Sequence, residues 1–581
     1  MGWPYQFITL SDEEKELRHQ SLAFYAAVAH LSAFAPALIY LLARLVQNVR
    51  ERLVSKDGGY QEVPGSPALK SQRVSGGASR WARLGWWMGD DVYVMGRHWG
   101  QRDEWIAGIS WTAWMLVLCV RGTGQDYLHL TKRFGLIAAS QFPIQCLLSL
   151  KRINPFAWAF FSSHEHVNRY HRVLGRVIYG LLVLHIIFYN IFFVASGIWE
   201  KRFFAPVVRE GVIASLLLHA LIATSSSFVR NRSYRLFFFI HQIFVWLAPT
   251  LIFFHASSAR YYIVAGVVLL AIDLAARRRQ TIYSAPSTLE TVPGTNLIRI
   301  EATISPSQIP SFQARPGSHV FVQIPPASRP SRSLASGSNY IFELTRNPFT
   351  VSSVNAACNT ITLIARRRAG PLTNHLSTLS SSSTDSPVTL DIQGPYGAIG
   401  KSLPSLLAGA YDRILLFAGG VGATFALPAY RAIHADSPTA HVTLVWAVRS
   451  AAEATWATSS APDSSSSSGA ASVLDDKNVQ LFLTGDMGVA DTSGPSGGEG
   501  VRGVEMADLR RGERGGRSGV RNRKRPDVRK IVDDTFRKGR EESVAVIVCG
   551  PAEMVRDVRE GVRPWAMKGR RVWWHSEAFG W

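Results

Sequence analysis

Four histidines form two pairs with a single spacing inside apolar stretches. "HRVLGRVIYGLLVLH" runs from His171 to His185, and "HQIFVWLAPTLIFFH" runs from His241 to His255. On a helix, 14 residues return to within about 40° of the starting direction and rise about 21 Å, so each pair shares one face and spans much of a bilayer core. One apolar segment, 211–229, separates the two stretches and makes the helices parallel. His171 should therefore face His241, and His185 should face His255.

Paired imidazoles at two depths are suited to haem, because haem iron takes one axial ligand on each side of the macrocycle. We therefore expect two b-type haems, with no catalytic residues beyond the cofactor sites. Gly175 and Gly180 would let a flat macrocycle approach the first helix, and Pro249 would kink the second. The remaining histidines of interest are interpreted as ordinary polar residues: His30, His129, His164, His166 and His219.

The apolar residues concentrate before about residue 276, so the chain reads as a membrane half followed by a water-soluble half. Hydrophobic residues make up 47% of the 581 residues, and the net charge is +21. Lys and Arg cluster in loops on one side of the apolar segments, such as "RERLVSK" and "ARRRQ". The positive-inside rule then puts the N-terminus outside and the C-terminal half in the cytosol of a multi-pass plasma-membrane protein. This pattern indicates contact with membrane lipid and no nucleic-acid partner. The seven predicted spans lie near 21–46, 105–121, 134–150, 171–194, 211–229, 236–256 and 261–276.

The residue pattern of the soluble half changes twice along the chain. From about residue 282, segments such as "GSHVFVQIP" and "PVTLDIQGPYG" alternate and end in turn residues, which predicts a small antiparallel barrel. From residue 411, "YDRILLFAGGVGATFALPAYRAI" reads as strand, glycine turn and helix, and further strands follow. This order is typical of a parallel α/β domain.

Glycine turns at strand ends predict a dinucleotide site in the α/β domain. Gly419, Gly420 and Gly422 lie between a strand and a helix, where backbone can approach a pyrophosphate at the helix N-terminus. "VCGPAEM" ends a later strand, and such strand ends are where a dinucleotide lies. In "LVWAVRS", Arg449 is suited to the 2′-phosphate of NADPH.

Several segments carry no predicted chemistry. The Ser/Gly-rich stretches at 458–472 and 486–522 are predicted to be disordered inserts, and the basic run "RNRKRPDVRK" is interpreted as a solvated loop. The cysteines are scattered without CxxC spacing, so neither a disulfide framework nor a zinc site is expected. They are Cys119, Cys146, Cys358 and Cys549.

Taken together, the motifs resemble those of the fungal ferric/cupric reductases, a family in the superfamily shared with NADPH oxidases. The resemblance covers nearly the whole chain except the inserts and the loop near 50–104. It rests on the two histidine pairs and on "RPGSHVFVQIP", "NPFTVSS", "GPYG", "GGVGATFALP", "VCGPAEM" and the terminal "EAFGW".

The resemblance implies an FAD site in a ferredoxin-reductase-like barrel. Phe349 would stack on the isoalloxazine, Thr350 would reach its N5 edge, and Phe579 would cover the flavin until nicotinamide displaces it. The family usually has His where this chain has Asn347, which carries no charge, so Arg346 is a candidate for the phosphate contact. The implied FAD-binding residues are Asn347, Pro348, Phe349, Thr350, Ser352, Ser353, Gly370, Thr373 and Phe579.

The resemblance also implies an NADP site. "GPYG" would sit near the flavin and nicotinamide, and the glycine turn would hold the pyrophosphate. The implied NADP-binding residues are Gly394, Pro395, Tyr396, Gly397, Gly419, Gly420, Val421, Gly422, Ala423, Thr424, Arg449, Cys549, Gly550 and Pro551.

The expected architecture is an α-helical transmembrane bundle followed by a β-barrel FAD domain and an α/β NADP-binding domain. The predicted boundaries are 1–20 for an extracellular N-terminus, 21–280 for the di-haem domain, 282–405 for the FAD domain and 411–581 for the NADP domain. Electrons would pass from NADPH through FAD and the two haems to an extracellular ferric or cupric chelate, and a separate importer would take up the reduced metal. Two alternatives are a superoxide-generating NADPH oxidase and a catalytically silent membrane subunit or redox sensor. The seventh span and the fungal-type motifs disfavour the first, and the intact histidines and glycine motifs disfavour the second.

Overall fold

The computed structural model describes residues 4–56, 76–329, 346–381, 388–397, 399–407, 410–437, 440–457, 474, 476–485, 524–539 and 542–577. The chain divides into two compact units. The helical unit comprises Met1–Lys70 and Trp87–Arg279, and the barrel–sheet unit comprises Ser71–Trp86 and Gln280–Trp581. The short segment Ser71–Trp86 therefore belongs to the second unit although its neighbours in sequence belong to the first.

Helices account for most of the described residues before residue 280. In chain order they are α1 (Asp12–Ser32), α2 (Ala35–Lys56), α3 (Gly76–Met88), α4 (Arg102–Val120), α5 (Tyr127–Ser140), α6 (Phe142–Ser149), α7 (Pro155–Ala159), α8 (His164–Ala195), α9 (Trp199–Phe203), α10 (Pro206–Thr224), α11 (Ser227–Arg232), α12 (Tyr234–His255) and α13 (Arg260–Arg279). An antiparallel hairpin, β1 (Asp91–Val94) and β2 (Arg97–Gln101), precedes α4.

The helices that carry the paired histidines begin at side-chain caps. The Ser163 side chain accepts a hydrogen bond from the His166 backbone N–H and starts α8, and Ser233 caps α12 in the same way. Such caps satisfy backbone donors that a helix leaves unpaired at its start. Helix α8 continues through His171 and His185. Helix α12 continues through His241 and Pro249 to His255. The predicted helical positions of the histidines are therefore confirmed.

The length and apolar composition of the described helices are those of a multi-pass membrane protein. Four helical stretches are long and apolar enough to cross a bilayer: α8, α10, α12 and Ser257–Arg279. The pair α1 and α2 adds a fifth if its 41° bend lies within one span. The second predicted span is α4, whose first turn is charged, and the third is divided at Gln141 into α5 and α6. Seven spans remain a prediction.

A closed six-stranded barrel begins the second unit after residue 280, as predicted. Its strand order is β3-β4-β7-β6-β5-β8, and alternate residues such as Ile298, Ile300, Val320 and Val322 fill the interior. This alternation follows from the two-residue period of a strand. The strands are β3 (Thr281–Thr291), β4 (Leu297–Thr303), β5 (His319–Gln323), β6 (Asn347–Asn355), β7 (Thr360–Arg366) and β8 (Val388–Tyr396), with helices α14 (Ile309–Gln313) and α15 (Pro371–Ser381).

A five-stranded parallel sheet follows the barrel, in the order β11-β10-β9-β12-β13. The chain leaves the central strand β9 first toward β10 and later returns to its other side as β12, so the strand order reverses between β9 and β12. Ligands of open α/β sheets bind at such a switch point. The elements are α16 (Ile399–Leu407), β9 (Arg413–Gly419), α17 (Ala423–Asp436), β10 (His441–Val448), β11 (Val479–Leu483), α18 (Val528–Lys538), β12 (Val544–Cys549), α19 (Ala552–Met567) and β13 (Val572–Glu577). The predicted inserts at 458–472 and 486–522 lie outside the described residues.

Candidate functional site

The four spaced histidines meet in two pairs in the helical unit. The ring centres of His171 and His241 lie 6.2 Å apart, and those of His185 and His255 lie 6.4 Å apart. Two imidazoles on one iron place their ring centres roughly 6.3 Å apart, because each metal–nitrogen bond is about 2.0 Å long. Both pairs therefore have the separation that one iron between two rings requires.

Hydrogen bonds at the second ring nitrogen orient three of these histidines. His171 Nδ1 lies 2.9 Å from the Gln145 carbonyl oxygen, and His185 Nδ1 lies 2.8 Å from that of Thr131. His255 Nδ1 lies 2.7 Å from the carbonyl oxygen of Val207. An Nδ1–H that donates to a carbonyl leaves Nε2 as the metal-binding atom, which is the usual arrangement around ligating histidines.

Two glycines that were not predicted from the sequence let neighbouring helices approach the pair His185 and His255. A Cβ on Gly135 of α5 would lie 2.7 Å from His185, and a Cβ on Gly211 of α10 would lie 2.5 Å from His255. Each glycine follows by four residues the carbonyl that accepts the histidine N–H. The rings of His185 and His255 thus rest in the same kind of cradle, a carbonyl followed one helical turn later by a glycine.

The glycines named from the sequence occupy other surroundings. A Cβ on Gly175 would meet the Gln145 side-chain amide nitrogen at 3.0 Å, whereas Gly180 has no neighbour within 4 Å. Gln145 also donates from Nε2 to the His171 carbonyl at 3.0 Å. Gly175 therefore makes room for a side chain that packs beside His171.

The remaining histidines make local polar contacts, as interpreted from the sequence. His129 Nε2 lies 2.9 Å from the buried Arg133 guanidinium, His30 Nδ1 lies 2.8 Å from the Ser140 carbonyl, and His219 Nδ1 approaches the Ser215 carbonyl one turn earlier. His164 pairs with the adjacent carboxylate of Glu165. Within the described ranges, no group of three or more His, Cys, Asp or Glu side chains could hold a metal ion.

The implied flavin motif forms the start of β6 beside β5. Phe349 pairs with Val320 and Thr350 pairs with the buried His319, so the motif lines one seam of the barrel. Pro348 and Asn347 continue the same register. Phe349 is half-buried, which leaves part of its ring accessible.

Further along β6, Ser352 donates a hydrogen bond to the Thr362 carbonyl at 2.9 Å, and Ser353 is half-buried. Arg346, the candidate for the missing phosphate contact, donates to the Gln323 side chain at 2.8 Å. Any phosphate contact of Arg346 would therefore compete with Gln323.

The second implied flavin segment forms the N-terminus of α15. Gly370 precedes the helix, and its carbonyl accepts a hydrogen bond from Asn374 N–H. The Thr373 hydroxyl donates to the Arg368 carbonyl at 2.9 Å and so closes the turn that precedes α15. Arg368 is the last of three consecutive arginines, 366–368. A helix N-terminus beside arginines is suited to a pyrophosphate.

"GPYG" lies at the end of β8, close to the same seam. Tyr396 pairs with His319 across β5, and their ring centres lie 6.0 Å apart. A Cβ on Gly394 would meet the Val320 side chain at 2.9 Å, so only glycine lets Pro395 follow at this distance from β5. Gly397 has φ +134°, a backbone conformation that L side chains rarely adopt.

The predicted dinucleotide motifs lie side by side at the switch point. Because β9 and β12 are parallel neighbours, Ala418 pairs with Cys549 and both glycine turns follow at one edge of the sheet. A Cβ on Gly422 would lie 2.1 Å from the Cys549 carbonyl oxygen, and a Cβ on Gly419 would lie 2.6 Å from Pro551. The glycines therefore permit close contact between the two turns as well as the approach of a ligand. Gly550 takes part in the same contact, with its Cβ position 3.2 Å from the Gly419 nitrogen.

Hydrogen bonds from two buried side chains hold the turn after β9. Trp446 donates from Nε1 to the Gly420 carbonyl at 3.0 Å, and the buried Thr424 donates to the Val421 carbonyl at 2.8 Å. Ala423 begins α17 directly after this turn. The start of α17 thus faces the same edge as the glycines.

Arg449 is exposed at the end of β10, next to the same edge. Its position on a strand adjacent to β9 is the one expected for a residue that contacts the far phosphate of a dinucleotide. Its backbone carbonyl accepts from Gly485 N–H, which ties the end of β10 to the end of β11. This hydrogen bond holds the backbone that carries the Arg449 side chain.

Sequence reasoning missed three residues around this site. The buried His319 lies beneath the flavin seam, and Glu577 pairs in register with Cys549 at the end of β13. His575 lies 3.1 Å from the Glu577 carboxylate. Burial raises the pKa of the Cys549 thiol, and the Glu577 carboxylate adds to the rise. The only sequence signal for β13 was its position before "EAFGW"; Phe579 itself lies outside the described residues.

Comparison with known proteins agrees with this division. Residues 134–252 match a family described as "Ferric reductase like transmembrane component", and residues 411–563 match one described as "Ferric reductase NAD binding domain". A probable metalloreductase AIM14 from Meyerozyma guilliermondii is 24% identical over 78% of this chain and 85% of its own length. The ferric/cupric reductase transmembrane component 2 of Schizosaccharomyces pombe is 24% identical over 55% of this chain and 61% of its own length.

Among solved structures, phthalate dioxygenase reductase aligns with 52% of this chain and 69% of its own, at 14% identity and a TM-score of 0.30.

A helical membrane domain joined to a barrel and a nicotinamide-binding sheet defines a multi-pass membrane oxidoreductase. Within that class, residues 134–252 and 411–563 resemble the transmembrane and NAD-binding domains of ferric reductases. The resemblance seen in its motifs is confirmed.

Proposed function

We propose that this protein is a metalloreductase that carries electrons from cytosolic NADPH to ferric or cupric chelates outside the plasma membrane. The observation that carries the proposal is the pair of ring separations, 6.2 Å and 6.4 Å, at two levels of the same two helices. A single pair would serve one site on one side of a bilayer. Two pairs about 21 Å apart along α8 would serve a path through it.

The four histidines would hold two b-type haems through Nε2. His171 and His241 would hold the inner haem, and His185 and His255 the outer one. The carbonyl acceptors at Nδ1 support this role, because they fix the tautomer and the ring orientation before iron binds.

The barrel would hold FAD along the seam between β5 and β6. Phe349 would pack on the ring system, Thr350 would bond its edge, and Ser352 and Ser353 would shape the strand beneath it. The N-terminus of α15, with Gly370 and Thr373, would receive the pyrophosphate. When bound, FAD would accept a hydride and release single electrons, which the haems would carry across the bilayer.

The switch point between β9 and β12 would hold NADPH. The turn Gly419–Gly422 would receive the pyrophosphate at the start of α17, and Cys549 to Pro551 would line the nicotinamide side. Arg449 would pair with the 2′-phosphate and exclude NADH by leaving its charge unmatched. The raised pKa of Cys549 keeps its thiol protonated, so it would present a neutral surface to the nicotinamide.

The outer acceptor would be a metal chelate, as the names of the relatives suggest, and the reduced metal would supply a separate importer. The experiment compares ferric, cupric and oxygen reduction by intact cells that contain this one protein. We expect reduction of a ferric or cupric chelate at the cell surface. Superoxide output that exceeds metal reduction would instead identify an oxidase.

Single substitutions test the haem assignment. His171→Ala and His255→Ala should abolish metal reduction, while NADPH oxidation with an artificial dye continues because the barrel–sheet unit is intact. The matched control is His219→Ala, a helical-unit histidine outside both pairs, which should retain metal reduction. Metal reduction that persists in either ligand variant would show the assignment to be wrong.

A further inference from the structure

Among the described side chains of helix α3, residues 80–88, one face is buried and the opposite face is exposed. Of the residues 80–87, Trp86 alone is buried, at 8% exposure. It packs into the core on one side of the parallel sheet, together with Phe482, Val546 and Val558. Trp86 is therefore the buried point at which the described part of α3 packs on the sheet.

The attachment of Trp86 is specific in chemistry. The Arg559 guanidinium on α19 lies 4.8 Å from the Trp86 ring centre and donates to the Trp86 carbonyl at 3.1 Å. Trp574 on β13 meets the Trp86 ring edge-on, with centres 5.8 Å apart. A cation–π contact, a hydrogen bond and an aromatic contact together fix the rotation of α3 about its axis.

With that rotation fixed, the opposite face is exposed and apolar. At 100° per residue, Trp81 and Leu84 lie about 140° and 160° away from Trp86. Trp81 is 75% exposed and Leu84 is 41% exposed. The exposed Arg80 lies about 40° from Leu84 on this face, whereas Arg83 lies only about 60° from Trp86, and Gly76–Met88 contains no Asp or Glu. Tryptophan and leucine beside arginine on one helix face is the composition of helices that lie in a membrane interface.

The chain that follows α3 places further arginine and aromatic side chains before the apolar helix α4. Arg102, the first residue of α4, donates to the Trp87 carbonyl at 3.2 Å and lies over the Trp87 ring at 5.0 Å. The intervening hairpin exposes Tyr93 and Trp99, and Trp105 follows in the first turn of α4. Aromatic side chains gathered at the start of an apolar helix are typical of the boundary between lipid tails and headgroups.

We propose that the outward face of α3 binds the headgroup surface of an anionic lipid bilayer. Trp81 and Leu84 would enter the interface, and Arg80 would contact anionic headgroups. A lipid surface fits better than a protein partner because the chain is a multi-pass membrane protein and the face carries positive charge without acidic residues. The proposal is independent of the electron acceptor and of the haem assignment.

Fluorescence quenching in the full-length protein tests this contact. The exposed Cys358 is replaced by serine, the other three cysteines being buried, and Trp81→Cys is labelled with a polarity-sensitive dye. The control is Ala435→Cys on the exposed side of α17, labelled in the same way. The protein is placed in nanodiscs of phosphatidylcholine, with and without phosphatidylserine, that contain a lipid-borne quencher. NADPH oxidation with a dye acceptor at the parent rate shows that each labelled protein is folded.

We expect the lipid quencher to reduce the emission at position 81 at least twofold more than at position 435. Phosphatidylserine should increase that difference, and Arg80→Gln should remove the increase. Equal quenching at both positions would overturn the proposal. Shielding of position 81 in detergent that depends on protein concentration would also overturn it, because it would identify a second copy of the chain as the partner.

Discussion

Gly211→Ala should displace His255, a ligand of the proposed outer haem, while leaving helix α10 intact. The His255 ring rests on α10, where Nδ1 lies 2.7 Å from the Val207 carbonyl and Cε1 lies 2.5 Å from the Cβ position of residue 211. Non-bonded carbon atoms prefer about 3.5–4.0 Å, so the ring must retreat by roughly 1 Å. Metal–ligand distances tolerate only about 0.2 Å, so a displacement of this size breaks the bond.

The helix itself should gain from the same change, because alanine favours a helix interior over glycine by about 0.5–1 kcal/mol. Any loss of haem from Gly211→Ala is therefore due to the contact and not to a weaker α10. The matched control is Gly180→Ala, whose Cβ would have no neighbour within 4 Å. Both variants add one methyl group to a helix of the same unit.

The assay is the ratio of haem to protein in purified samples, measured from the absorbance of the reduced pyridine complex. We expect the ratio to fall from two to one in Gly211→Ala and to stay at two in Gly180→Ala. Ferric-chelate reduction should be lost in the first variant, and dye reduction by NADPH should be unchanged in both. Two haems with an unchanged spectrum in Gly211→Ala would refute the reasoning.

Three further predictions concern the barrel–sheet unit. Trp86→Ala should lower its free energy of unfolding by about 3–5 kcal/mol, seen as a lower thermal midpoint, whereas the exposed Trp81→Ala should change it by less than about 0.5 kcal/mol; equal midpoints would contradict the docking of α3. Arg449→Ala should reduce the preference for NADPH over NADH about tenfold or more through a higher KM for NADPH, since charge-assisted hydrogen bonds contribute about 1.5–3 kcal/mol, and an unchanged preference would remove Arg449 from the site. Because its pKa is raised, the buried Cys549 should resist alkylation at pH 9 while the exposed Cys358 reacts, and mass-spectrometric labelling of Cys549 in the folded protein would disprove this.

The histidine pairs were predictable because helix geometry alone decides which residues share a face. An interval of 14 residues on two parallel helices leaves only one way for His171, His185, His241 and His255 to meet. The cradles were not predictable in the same way. Gly135 and Gly211 lie on helices α5 and α10, and their role depends on which helices pack beside the histidines, which depends on tertiary packing.

The soluble half shows the same limit. The rule that parallel strands end at one edge predicted that both glycine turns lie at the same edge of the sheet. The order of the strands depends on long-range packing, so the direct contact between Gly422 and Cys549 could not be derived. Glu577 was missed because its pairing with Cys549 depends on the order of the strands, and α3 was missed because the loop near 50–104 matched no motif.

The docking of Trp86 has a consequence for how the protein can be divided. A recombinant fragment that begins at Gln280 would contain the whole barrel and sheet but not α3. Trp574 would then lose its ring contact with Trp86, and Arg559 would lose its aromatic partner on α3. Such a fragment should self-associate, and a synthetic peptide that spans residues 76–88 should restore its solubility. The barrel–sheet unit is discontinuous in sequence, so the ends of a recombinant fragment should be chosen from its contacts and not from residue order alone.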